Sequence, residues 1–109
     1  MKGILVAAVV ALTLVLAAGP RMSSGSEKGS AGESLFKLHC AVCHPDGKNI
    51  INPAKTLHSK DLKAHNITKP EDIVQIMRNP GPGMSKFDEA KLPDSDAKKI
   101  AQYILETFR

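Results

Sequence analysis

Cys40-Ala41-Val42-Cys43-His44 holds both cysteines of the 109-residue chain. Four kinds of site use cysteines spaced in this way, and the surrounding residues separate them. A structural zinc site needs a second ligand pair at matching spacing, and there is no third cysteine. A thiol–disulfide redox centre needs a βαβ setting, and no β-branched alternating strand precedes the motif. A simple disulfide is the ordinary expectation for two cysteines in an exported chain. The fourth possibility uses His44. Cys-x-x-Cys-His is the attachment sequence of c-type haem. Cysteines at i and i+3 stand on one side of a helical turn, where each thiol can form a thioether with a haem vinyl group. The next residue then carries an imidazole beneath the porphyrin.

Upstream, residues 4–18 are apolar apart from Thr13 and follow the single cation Lys2. That is a charged start and a 15-residue apolar run, short for a membrane span and suited to a secretory leader. Residues 1–19 are therefore expected to act as a signal peptide, cut after Ala17 or Ala18, for export to the periplasm. If uncut, the same stretch would leave the protein membrane-associated. The mature form carries no transmembrane span on this reading. Residues 20–31, rich in Ser and Gly, read as a flexible tether. Residues 32–109 remain as one small domain with a marginal core, which a covalent ligand would reinforce. Losing Lys2 lowers the formal charge from +4 to +3, too weakly basic to argue for nucleic acid.

The domain reads as all-α. Leu35, Phe36, His39, Cys40 and Cys43 share helical spacing and predict a helix over about 32–43. Residues 45–56, with Gly47, Asn49, Asn52 and Pro53, read as irregular. A short helix is expected near 59–64. Thr68-Lys69-Pro70-Glu71 predicts a capping box opening the next helix, which Pro80 stops. Pro93-Asp94-Ser95-Asp96 opens the last, with Ala97, Ile100, Ala101, Ile104, Leu105 and Phe108 along one face.

A haem iron held by His44 takes a second axial ligand from elsewhere, and Met84, Met77, His58, His65 and His39 are the candidates. Met84 lies in Asn79-Pro80-Gly81-Pro82-Gly83-Met84, a stiff loop that can hold a thioether in place at little entropic cost. Met77 falls on the apolar face of the preceding helix with Ile73, Val74 and Ile76, where methionine is usually core filler. His58 and His65 flank a polar segment and read as solvent-facing. His39 reads as pointing away from His44. On the residues alone Met84 is favoured.

The order of a Gly/Phe helix into Cys-x-x-Cys-His, a Pro/Gly loop with methionine and a C-terminal amphipathic helix resembles class I cytochromes c. Cys40-Ala41-x-Cys43-His44, Gly47, Asn49, Lys55-Thr56-Leu57 and Gly83-Met84-Ser85-Lys86-Phe87 are most similar to the cytochrome c6-like monohaem branch. The likeness covers roughly residues 32–108. It implies about four helices wrapped around one covalently attached haem c, with thioethers at Cys40 and Cys43 and iron ligands His44 and Met84. It further implies that Gly32, Phe36 and Tyr103 meet where the first and last helices cross. Lys55 would lie near a haem propionate and Leu57 would pack on the porphyrin. The implied function is one-electron transfer between transient redox protein partners by a monomer that is not an enzyme. A haem-based ligand sensor or a weak peroxidase is the alternative should Met84 not hold the sixth position.

Two departures stand out. The c6 branch commonly places glutamine near the haem edge, eight residues before the methionine. Here that position is Ile76, with Gln75 one place off, which predicts a potential below that of photosynthetic c6. No cysteine follows the leader to carry lipid, so lipid anchoring is not expected.

Overall fold

The computed structural model describes the backbone of residues 24–109 and the side chains from Ala31 onward. The expected leader and residues 20–23 of the expected tether lie outside the described residues. Four helices follow in order: α1 (Ser24–His39), α2 (Ser59–Ala64), α3 (Pro70–Arg78) and α4 (Asp94–Thr107). A single 3-10 turn, Pro45–Gly47, follows α1, and there is no strand among the described residues. The fold is that of an all-α domain, as the periodicity predicts.

α2 and α3 occupy the expected spans, because the punctuation that bounds them is local. α1 differs at both ends. Its helical backbone reaches back to Ser24, into the stretch read as tether, and it stops at His39 rather than running to Cys43. Beyond His39 the chain tightens: Cys43 N–H donates to Cys40 O at 3.1 Å and His44 N–H to the same oxygen at 2.9 Å. The side-chain spacing that suggested a helix through the cysteines is met by this turn. Pro45, which cannot donate, then ends the run.

The cap of α3 sits one residue later than expected. Pro70 takes the first helical position, so Lys69 is the N-cap and Asp72, not Glu71, closes it. Asp72 Oδ2 accepts from the backbone N–H groups of Thr68 and Lys69, both at 3.0 Å. Those bonds, Thr68 first, hold the Asp72 carboxyl below the ordinary carboxylate range.

The core is small. Phe36, Leu62, Ile73, Val74, Met77, Leu92, Ala97, Ile100, Ala101 and Ile104 are buried. Leu92 and the α4 face at Ala97, Ile100 and Ala101 are the most completely sealed, at 1% exposure or less. α1 and α3 both pack on α4. At the α1–α4 crossing Phe36 and Tyr103 stand with ring centroids 5.4 Å apart, beside Gly32, as the family resemblance implies. Phe108, just past α4, joins them. Its ring lies 5.4 Å from Phe36 and 5.9 Å from Tyr103, and its carbonyl accepts from Ser59 N–H at 2.7 Å.

Three irregular segments surround the helices and frame the site. The first runs from His44 to His58. The second, Asn79–Pro93, links α3 to α4, and the third is the short link between α2 and α3.

Candidate functional site

A cavity of about 430 Å³ opens between the first two of these segments, α2 and the inner face of α3. Its volume falls within the range of small-molecule and cofactor sites. Cys40, Cys43, His44, Lys55, Leu57 and Met84 all line it. Residues up to 44 positions apart in the chain are thus brought to one space.

His44 sits on the turn after α1 and is only 9% exposed. Its Nδ1 lies 2.9 Å from the carbonyl oxygen of Lys48. A carbonyl only accepts, so Nδ1 carries the proton and Nε2 keeps its lone pair. The ring is thereby oriented and its tautomer fixed, which is how metal-ligating imidazoles are prepared. Cys40 is half-buried beside it, and burial pushes its thiol up to about 11.

Asn49 shapes the loop after His44. Its Oδ1 accepts from the N–H groups of Ile51 at 3.0 Å and Asn52 at 2.8 Å, and its Nδ2 donates to Lys55 O at 2.9 Å. Ile50 N–H returns to Cys43 O at 3.1 Å, and Leu57 N–H to Gly47 O at 2.7 Å. The loop that carries Lys55 and Leu57 is therefore fastened to the Cys-x-x-Cys-His turn. The sequence reading marked Asn49 only by its register, since these bonds leave no periodic signature.

Met84 is half-buried in its Pro/Gly loop. Of the other candidate ligands, Met77 also lines the cavity but is 3% exposed within the core cluster, as its helical face predicts. His65 is exposed, lines the rim, and has Nδ1 2.8 Å from Asp61 O on its own helix. Two histidines depart from expectation. His58 is half-buried with its ring edge-on to Phe108 at 5.9 Å, and it does not line the cavity. His39, expected to point away from His44, lines the same cavity and meets Phe87 edge-on at 6.0 Å.

Ile76 lines the cavity, whereas Gln75 is exposed and does not. The polar side chain expected of the branch is thus absent from this wall. Ile51, Pro82 and Gly83 line the mouth, with Ile51 57% and neighbouring Val42 77% exposed.

The donor set fits a haem. Two thiols, an imidazole with a free nitrogen, a soft thioether and an apolar wall of Leu57, Ile67 and Ile76 face one space. Helices around such a cavity define a small class I cytochrome c.

The comparisons agree. The model of the family described as cytochrome c oxidase, cbb3-type, subunit III matches residues 27–104. Cytochrome c6 of Cyanidium caldarium is 39% identical over 74 residues, covering 68% of this chain and 66% of that protein. A cytochrome c6-like protein of Nostoc sp. is 35% identical over 83 residues, covering 76% and 74%. The solved structure of OmcF, an outer membrane cytochrome of Geobacter sulfurreducens, superposes with a TM-score of 0.70 and 45% identity. That alignment covers 72% of this chain and 99% of the other. The chain thus spans about two thirds of the length of the first of these relatives. The chain belongs to the cytochrome c family, in its cytochrome c6-like group of electron carriers. That family carries covalently bound haem c.

Proposed function

We propose that this protein is a periplasmic monohaem one-electron carrier, with haem c joined to Cys40 and Cys43 and its iron held by His44 and Met84. The observation that carries the reading is the convergence of those four side chains on one cavity. When bound, the haem supplies a reversible one-electron iron couple. The chain's residues set its character. His44, held by Lys48 O, offers Nε2 in a fixed orientation. Met84 offers a soft sulfur that favours the reduced state relative to a second imidazole. Held by both His44 and Met84, the iron would offer peroxide and oxygen no open site. Leu57 and Ile76 exclude water from the cavity wall, and Lys55 places a cation at its edge.

Electrons leave and enter where the wall is thin. Val42, Ile51, Pro82 and Gly83 form an apolar mouth beside the cysteines. A mouth of four such residues suits the small, quickly dissociating interfaces of redox encounters between this monomer and its partner proteins. Export rests on the leader at 1–19, which delivers the domain at 32–109 to the periplasm. No helix among the described residues is long and apolar enough to cross a membrane.

The test is the visible spectrum of protein matured in a haem-attaching host, oxidised and reduced, for wild type and Met84→Ala. Low-spin haem c with the weak far-red band of thioether-ligated ferric iron is expected, lost in the variant. If the band is absent and the substitution changes nothing, Met84 is not the ligand and a ligand sensor or weak peroxidase takes over. His65 and His39, which line the cavity, are then the next ligands to replace.

A further inference from the structure

The loop carrying Met84 has little internal bonding. Its one hydrogen bond near the methionine, Met84 N–H to Gly81 O, is 3.5 Å long. It is instead fastened at its far shoulder by the last residue of α3. Arg78 donates through one terminal nitrogen to the carbonyl oxygens of both Phe87 at 3.1 Å and Leu92 at 2.8 Å. Its other terminal nitrogen pairs with Asp94 at 3.3 Å. The side chain is only 15% exposed. Phe87 N–H meanwhile donates to Met77 O at 2.9 Å. Residue 87 is thereby held to the last turn of α3 from both sides of its peptide, and the nine residues from 79 to 87 form a closed loop. Pro80 and Pro82 stiffen its first half, so Met84 sits between a rigid arm and a clamped end.

We infer that Arg78 is a positioning residue for the Met84 sulfur: by bridging Phe87, Leu92 and Asp94 it keeps the thioether at the cavity wall and resists its displacement. This rests on Met84 being the axial ligand. Arg78 does not line the cavity, and it acts by denying the loop an outward swing. A guanidinium suits the task because one rigid fork reaches two carbonyls and a carboxylate at once, which an ammonium does not. Hydrogen bonds from a charged donor to part-buried carbonyls are among the stronger ones in a fold.

The experiment is titration of the oxidised holoprotein with imidazole, an external ligand that competes with Met84, followed by loss of the far-red band. Arg78→Ala is expected to bind imidazole about tenfold more tightly than wild type, the scale set by losing such bonds. Arg78→Lys keeps the charge but not the fork, and lies between. Asp94→Asn leaves both carbonyl bonds and weakens only the third, more exposed one, so it lies between wild type and Arg78→Lys. Asp72→Ala, at the other end of α3, lowers the melting temperature without changing imidazole affinity, which separates positioning from general loosening. Equal affinity in wild type and Arg78→Ala overturns the inference, as does full recovery in Arg78→Lys. Should Arg78→Ala not fold, Arg78→Lys alone decides, because unchanged affinity there also overturns it. If Met84→Ala leaves the far-red band of wild type untouched, the axial-ligand reading has failed instead.

Discussion

Gly32 and Lys99 meet backbone to backbone where α1 crosses α4. A Cβ placed on Gly32 would stand 2.6 Å from the Lys99 carbonyl oxygen and 2.8 Å from Tyr103 Cβ. Neither neighbour is the end of a flexible side chain that can turn aside. Gly32→Ala must therefore push the helices apart and loosen Phe36 from Tyr103. The expected cost is about 1–3 kcal/mol, the usual range for overpacking a close contact. Urea unfolding of the holoprotein, with the midpoint lowered and the slope kept, checks it.

Ile76 at the cavity wall sets up the second prediction. An amide N–H facing the haem from that position favours the more electron-rich reduced state, and an isoleucine cannot supply it. Ile76→Gln is expected to raise the reduction potential on the order of 20–60 mV, the one-electron equivalent of a single net hydrogen bond. Gln75→Leu, altering the exposed neighbour, should leave the potential where it was. Redox titration of the three proteins in one buffer gives the answer. A potential that falls or stays fixed in Ile76→Gln rejects the account.

The cap of α3 gives a pH dependence. Thr68 and Lys69 N–H groups favour the charged form of Asp72, so its carboxyl titrates lower in the folded than in the unfolded chain. The stabilisation is fully present above the unfolded value, near 3.9, and is lost as pH falls through the lower folded value. The stability gap between wild type and Asp72→Ala should be constant around neutral pH and shrink in strong acid. Denaturation midpoints taken across the acid limb test this, and a gap that widens on acidification contradicts it.

How much of this was visible in the sequence depends on the range of the cause. α3 and α4 are legible because Pro70, Pro80 and Pro93 act on their own neighbours, and the α4 face repeats with the helix. The α3 cap falls one residue beyond the sequence pattern because Glu71 and Asp72 are adjacent acids. Only the first-turn position of Pro70 decides between them. The periodicity overruns the end of α1 because Cys40 and Cys43 keep helical spacing inside a tighter turn. Arg78 could not be found at all: its partners lie 9 to 16 residues away, beyond any local pattern. The gathering of Cys40, Cys43, His44 and Met84 followed from the family's motif order rather than from any spacing between the two halves.

Phe108 is a keystone between α4, the turn after His44 and the start of α2. Its ring rests against Gly47, where a Cβ would lie 2.6 Å from it, and its carbonyl secures the start of α2. Without that ring the turn beside His44 lacks the aromatic wall behind it. A disturbance at the end of α4 is therefore felt beside His44 through one ring.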